Sequence, residues 1–141
     1  MNGGYYKLEI YNLAHLLGVK IHEMTLSLPK FEMYEEGSQI RRSAKSISNN
    51  IVEGFALRKY KNEFLHYLYR AYGSSEESLE HLRYLYETKS LADEKLFTEL
   101  KEEILKLNSK LFRFIQSVEK EHGTPAFLKE AIGEYSMNLE S

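Results

Sequence analysis

The sequence predicts an all-α chain folded as an antiparallel, up-down-up-down four-helix bundle. Three observations predict it. Four stretches repeat apolar residues at alternating spacings of three and four, the pattern that a helix buries. Short polar turns separate them, which sets sequence neighbours antiparallel. Only two prolines occur in 141 residues, and both fall where a helical pattern stops.

The first helix is predicted from Lys7 to Ser27, with Ile10, Leu13, Ala14, Leu17, Ile21, Met24 and Leu28 as its buried stripe. Pro29 ends it, because a residue before proline avoids the α region. Lys30 to Glu32 form the connection. The second helix is predicted from about Met33 to Arg58, with Gly37 or Ser38 weakening its first turns. Within it, Ile40, Ala44, Ile47 and Ile51 form the apolar stripe. To one side runs a polar line of Gln39, Ser43, Ser46, Asn50 and Glu53; to the other lie Arg41 and Lys45. Small uncharged polar residues lower helix propensity, so a whole line of them calls for a reason. It is read as packing against another helix, in this chain or a neighbouring one. Gly54 lies beside the apolar stripe, where a missing side chain lets another backbone approach.

Arg58 to Lys61 is the next turn, and a third helix is predicted from Lys61 to Thr88. Phe64, Leu68, Ala71, Ser75, Ser78, Leu82 and Leu85 repeat every 3.5 residues. Midway the line turns small and polar, at Gly73, Ser74, Ser75 and Ser78, a patch suited to face the polar line of the second helix. Arg42 is then expected to pair with Glu77 or Glu53, leaving Arg41 on the surface. Ser90 to Asp93 forms a turn with Asp93 as N-cap. The fourth helix runs to Glu121 on Leu96, Leu100, Ile104, Leu107, Leu111, Phe114, Ile115 and Val118. Gly123, Thr124 and Pro125 terminate it. The expected organisation is one bundle over residues 1–122 and a C-terminal tail, 123–141. In the tail, Phe127, Leu128, Ala131 and Ile132 suit a short helix docking on a neighbour.

Composition excludes several classes. Cysteine is absent, which rules out disulfides and thiolate metal sites. The N-terminal residues lack the pattern of a secretory signal, and no apolar run has the length of a membrane span. Cytoplasm is the default expectation, with no membrane partner. Formal net charge is −2 and the pI about 6.2, which predicts no strong bulk attraction to nucleic acid.

Catalytic signals are weak. Two Glu-x-x-His spacings occur, Glu63–His66 and Glu119–His122, as in di-iron bundles. The first pair flanks the buried line rather than sharing it, and no core glutamate accompanies either. His15 and His22 are seven apart, whereas chelating helical pairs sit three or four apart. The serines have no adjacent histidine or oxyanion loop. No catalytic residue, metal or cofactor is predicted.

Binding surfaces are the stronger signal. From Gln39 to Lys61, Arg41, Arg42, Lys45, Arg58, Lys59 and Lys61 stand against one acid, Glu53. Tyr60, Tyr67, Tyr69 and Tyr72 lie close by, a combination suited to RNA or DNA. Arg41, Lys45, Arg58, Lys59 and Lys61 are the candidate nucleic-acid contacts. The competing reading pairs this basic block with the acidic stretch from Ser74 to Glu103. Eleven tyrosines and seven phenylalanines exceed what four helices can bury, which predicts self-association.

Two blocks carry a family resemblance. Leu28-Pro29, Glu32, Gln39 through Ala44, Ser46-Ile47, Asn50-Ile51 and Glu53-Gly54 form the first. Glu63-Phe64, Leu68, Ala71, Gly73-Ser74 and Glu77 form the second. Together they resemble the four-helix-bundle proteins called 23S ribosomal RNA intervening-sequence proteins, over roughly Leu8 to Val118. The resemblance implies an antiparallel bundle that assembles as a homopentamer, with Ser74 and Glu77 as counterparts of the polar line. The aromatic excess and the polar line point to a scaffold for another protein or RNA. A related branch, the accessory protein of diversity-generating retroelements, is a strongly basic pentamer that binds nucleic acid and a reverse transcriptase; this chain departs from it in its acidic pI. Val52 stands where the family usually has alanine.

Overall fold

The computed structural model describes residues 4–121. The expected C-terminal helix and the His122 member of the second Glu-x-x-His pair lie outside the described residues. Four helices account for most of the chain: α1 Glu9–Thr25, α2 Glu36–Ala56, α3 Lys61–Glu87 and α4 Glu94–Lys120. No strand occurs among the described residues, and no described helix is long and apolar enough to cross a membrane. Each helix packs on its sequence neighbour, and α4 closes back onto α1.

Side-chain contacts give the antiparallel register. Glu9 meets Lys110 at 3.0 Å and Lys20 meets Glu103 at 2.8 Å, so α1 and α4 run oppositely. Between α2 and α3, Glu36 pairs with His81, Ser43 with Ser78 and Ser46 with Ser74. Most of the predicted stripe residues form the core; Leu13, Leu28 and Leu96 are only partly buried, and Leu8, Phe55 and Leu91 join it. Ile40, Ala44, Ile47 and Ile51 of α2 are fully buried, as are Phe64, Leu68, Ala71, Leu82 and Leu85 of α3. Phe55, Phe64 and Phe114 form an edge-on aromatic chain across the lower core, with centroids 6.4 and 6.1 Å apart.

Two helix starts differ from the sequence expectation. Instead of opening at Lys7, the chain makes a tight 3-10 turn over Tyr5–Lys7, and α1 starts after Leu8. Leu8 is buried in extended conformation, and the Asn12 amide donates to the Tyr6 and Leu8 carbonyls. The second helix starts at Glu36, not Met33, because Lys30–Met33 forms its own 3-10 turn. Glu32 holds that turn. Its side chain is buried, with 4% exposure; one carboxylate oxygen accepts from the Gly37 N–H (3.1 Å) and the other from the Ser90 hydroxyl (2.5 Å). A helix start whose N–H groups need acceptors thereby receives one from the connection itself. Gly37 sits so near that a Cβ there would lie 2.4 Å from the Glu32 carbonyl. It permits the turn rather than breaking the helix.

The remaining boundaries follow the sequence closely. Asp93 caps α4 by accepting from the Leu96 N–H at 3.0 Å. Lys89 after α3 adopts the left-handed region, φ 70°, usual for glycine or asparagine at this position. That turn lets the Leu91 N–H reach the Leu85 carbonyl (2.9 Å) and buries the Leu91 side chain.

Candidate functional site

The polar line of α2 lies against α3. Ser43 Oγ and Ser78 Oγ are 2.8 Å apart, both residues buried; Ser46 Oγ and Ser74 Oγ are 2.9 Å apart. Each hydroxyl also has a carbonyl acceptor in its own helix, Ser78 the Ser74 carbonyl at 2.8 Å and Ser43 the Ile40 carbonyl at 3.3 Å, so either can be the donor across the seam. Asn50 extends the seam, its amide donating to the Ser46 carbonyl (2.8 Å) and hydroxyl (2.9 Å). Small side chains and satisfied hydroxyls let two backbones approach without burying an unpaired polar group. Further down, a Cβ on Gly54 would lie 3.0 Å from the Tyr67 Cβ and 3.3 Å from the Phe64 ring. Gly73 differs from expectation: it is exposed with nothing near it, so it is not part of the seam.

The charged members expected in this network lie elsewhere. Arg42 and Glu53 are exposed, and neither forms an ion pair among the described residues; Gln39 is exposed as well. Glu77 contacts His81 Nε2 at 3.2 Å, and His81 Nδ1 lies 2.6 Å from Glu36. The expected pairing of Arg42 with Glu77 or Glu53 is therefore not made. Arg41 is the half-buried arginine, donating to the Met33 carbonyl at 3.0 Å. The roles of the two arginines are exchanged because the Lys30–Met33 turn presents a carbonyl to Arg41.

The candidate nucleic-acid residues do not form one patch. Arg41 and Lys45 lie in the first half of α2; Arg58, Lys59 and Lys61 lie at its far end, roughly 20 Å away by helical rise. Most serve the fold. Lys45 Nζ is 3.0 Å from His22 Nδ1. Arg58 stacks on Phe55 (4.0 Å) and donates to its carbonyl (2.8 Å). Lys61 donates to the Glu119 carbonyl at 2.9 Å and also to that of Glu121, the favourable place for a cation at the end of α4. Lys59 is exposed, 5.7 Å from the Tyr60 ring centroid. None of Arg41, Lys45, Arg58 and Lys59 pairs with the acidic stretch among the described residues.

Other tyrosines tie elements together. Tyr69 donates to Glu119 (2.7 Å) and Tyr86 to Glu94 (3.0 Å); giving up either proton beside a carboxylate is harder, so both phenols titrate above the ordinary value. Tyr5 is raised similarly by its bond to Tyr6. Glu63 and His66 are exposed, and no group of three potential ligands gathers among the described residues.

Two features went unread in the sequence. A groove of about 410 Å3 opens between α1 and α2, over Gly18 and Val19, with His15, Glu23, Lys45 and Asn49 around it. At the top of the bundle, four large apolar side chains stand in solvent: Leu26, Phe31, Met33 and Tyr34, the last with 84% exposure. Asn108 was also missed; it is buried in α4, its amide donating to Glu76 and its side-chain oxygen without a partner among the described residues. A polar residue inside an apolar stripe is the signal that marks it.

Compared with known proteins, the chain matches one family model, described as 23S rRNA-intervening sequence protein, over residues 6–113. No curated protein matches it.

Proposed function

Because this chain belongs to the 23S rRNA-intervening sequence protein family, we propose that it is a non-enzymatic, cytoplasmic scaffold or adaptor for protein or RNA that works as a homo-oligomer, a pentamer, without a cofactor. The observation that carries this reading is the apolar surface left after the core is filled. Leu26, Phe31, Met33 and Tyr34 crowd one end of the bundle, and Tyr6, Tyr60 and Tyr84 are each more than half exposed. Tyrosine, phenylalanine and methionine are enriched where proteins meet, and contiguous exposed apolar patches mark such surfaces. The seam serines are satisfied within one chain, so the reading rests on the exposed apolar residues.

Direct binding of RNA or DNA by the basic residues receives less support. Lys45, Arg58 and Lys61 each bond within the chain, and the bases split between two ends of α2. Light scattering coupled to size exclusion tests the proposal. The full chain at micromolar concentration is expected to elute at about five times the 16.6 kDa of one copy; a monomer would overturn it.

A further inference from the structure

The apolar turn at the top of the bundle and the groove between α1 and α2 each carry one exposed acid and one exposed base beside exposed apolar residues. We propose that the Phe31–Tyr34 turn of one copy seats in the α1–α2 groove of the next. This rests on the homo-oligomer reading above and names its contact surfaces.

The turn is built as a rigid knob. The Tyr34 N–H closes the turn by donating to the Phe31 carbonyl at 3.2 Å, which fixes the two residues one turn apart. Glu32 between them points inward and is bonded at both oxygens, so the exposed rings stand on an anchored backbone. Less conformational freedom then remains to be lost on association.

The groove is built as a receptor. Gly18 lines its floor, in the middle of α1, where glycine is a poorer helix former than alanine. Close helix packing does not require that glycine: a Cβ there would make only an ordinary contact, 3.8 Å from the Ala44 carbonyl. What the glycine does is keep a side chain out of the floor beside the exposed Val19. Lys45 gives one N–H to His22, and an ammonium has three, so two remain for a partner acceptor.

Charge fixes the occupant as this chain's own turn. The apolar residues of the turn are bracketed by exposed Lys30 and Glu35, neither in an ion pair among the described residues. The groove is bracketed by exposed Glu23, also without an ion pair among the described residues, and by Lys45. Lys30 meets Glu23 and Glu35 meets Lys45 when the turn enters. Knob and groove are different surfaces of the same chain, so repetition of the contact generates a ring when the rotation closes.

Charge exchange and crosslinking in the full chain test this. Glu23→Lys and Lys30→Glu alter exposed side chains and leave the core intact. Each alone is expected to weaken association about tenfold or more through like-charge contact; combined, they are expected to restore it. A photo-crosslinking residue at Val19 is expected to capture residues 30–35 of another copy, identified by mass spectrometry of mixed isotope-labelled chains. Single variants that assemble like wild type, a double variant no better than the singles, or capture of residues 122–141 would each overturn the proposal. Wild-type protein that is itself monomeric would overturn the oligomer reading beneath it, a separate result.

Discussion

Gly54 and Gly73 both stand inside long helices, yet the same substitution has opposite expected outcomes. Gly54→Ala pushes a Cβ to within 3.0 Å of the Tyr67 Cβ and 3.3 Å of the Phe64 ring, both on the neighbouring helix. Overpacking of this kind costs about 1–3 kcal/mol, more than the roughly 1 kcal/mol that helix propensity returns. Gly73→Ala meets nothing within 4 Å and gains the propensity term, about 0.5–1 kcal/mol. Urea unfolding of the two variants should move the midpoint in opposite directions. The sequence distinguishes these glycines only partly. Gly54 borders an apolar stripe and reads as a packing residue, whereas Gly73 sits beside serines and looks like their neighbour. One step of 100° along the helix puts it in solvent instead.

Along each helix, the buried faces were legible because their spacing reports them directly. The seam between α2 and α3 was legible for a different reason. Serines at core spacing are poor helix formers with nothing to gain from solvent, so two such lines in one chain point to each other. Their energetics are testable. Ser43→Ala and Ser78→Ala each remove one hydroxyl-to-hydroxyl bond and are expected to cost about 0.5–1.5 kcal/mol. Since both delete the same interaction, the double variant should cost less than the sum, a difference that a double-mutant cycle in urea reads out. Helix starts were less legible. Periodicity cannot show that Glu32 turns inward to accept from Gly37, or that the turn it holds offers the Met33 carbonyl to Arg41. The arginines were assigned from their place beside the stripe, and that turn reverses them.

At the scale of the whole molecule, Glu32 does more than open α2. Its second oxygen accepts from Ser90, in the turn between α3 and α4, so one carboxylate joins both connections at the top of the bundle. Glu32→Ala removes both acceptors from buried or half-buried donors and is expected to lower stability by about 1–3 kcal/mol. Glu32→Gln keeps one acceptor for Gly37 and offers an N–H to Ser90, so its loss should be smaller; thermal unfolding of the pair checks the order. The knob and groove were not legible at all, since both arise from where connections place residues rather than from any repeat. One close approach also gives a criterion for comparing sequences. A side chain at position 37 would have its first carbon 2.4 Å from the Glu32 carbonyl. A sequence that aligns here without glycine must therefore route its first connection differently, however similar its helices, and its exposed turn should not be equated with this one.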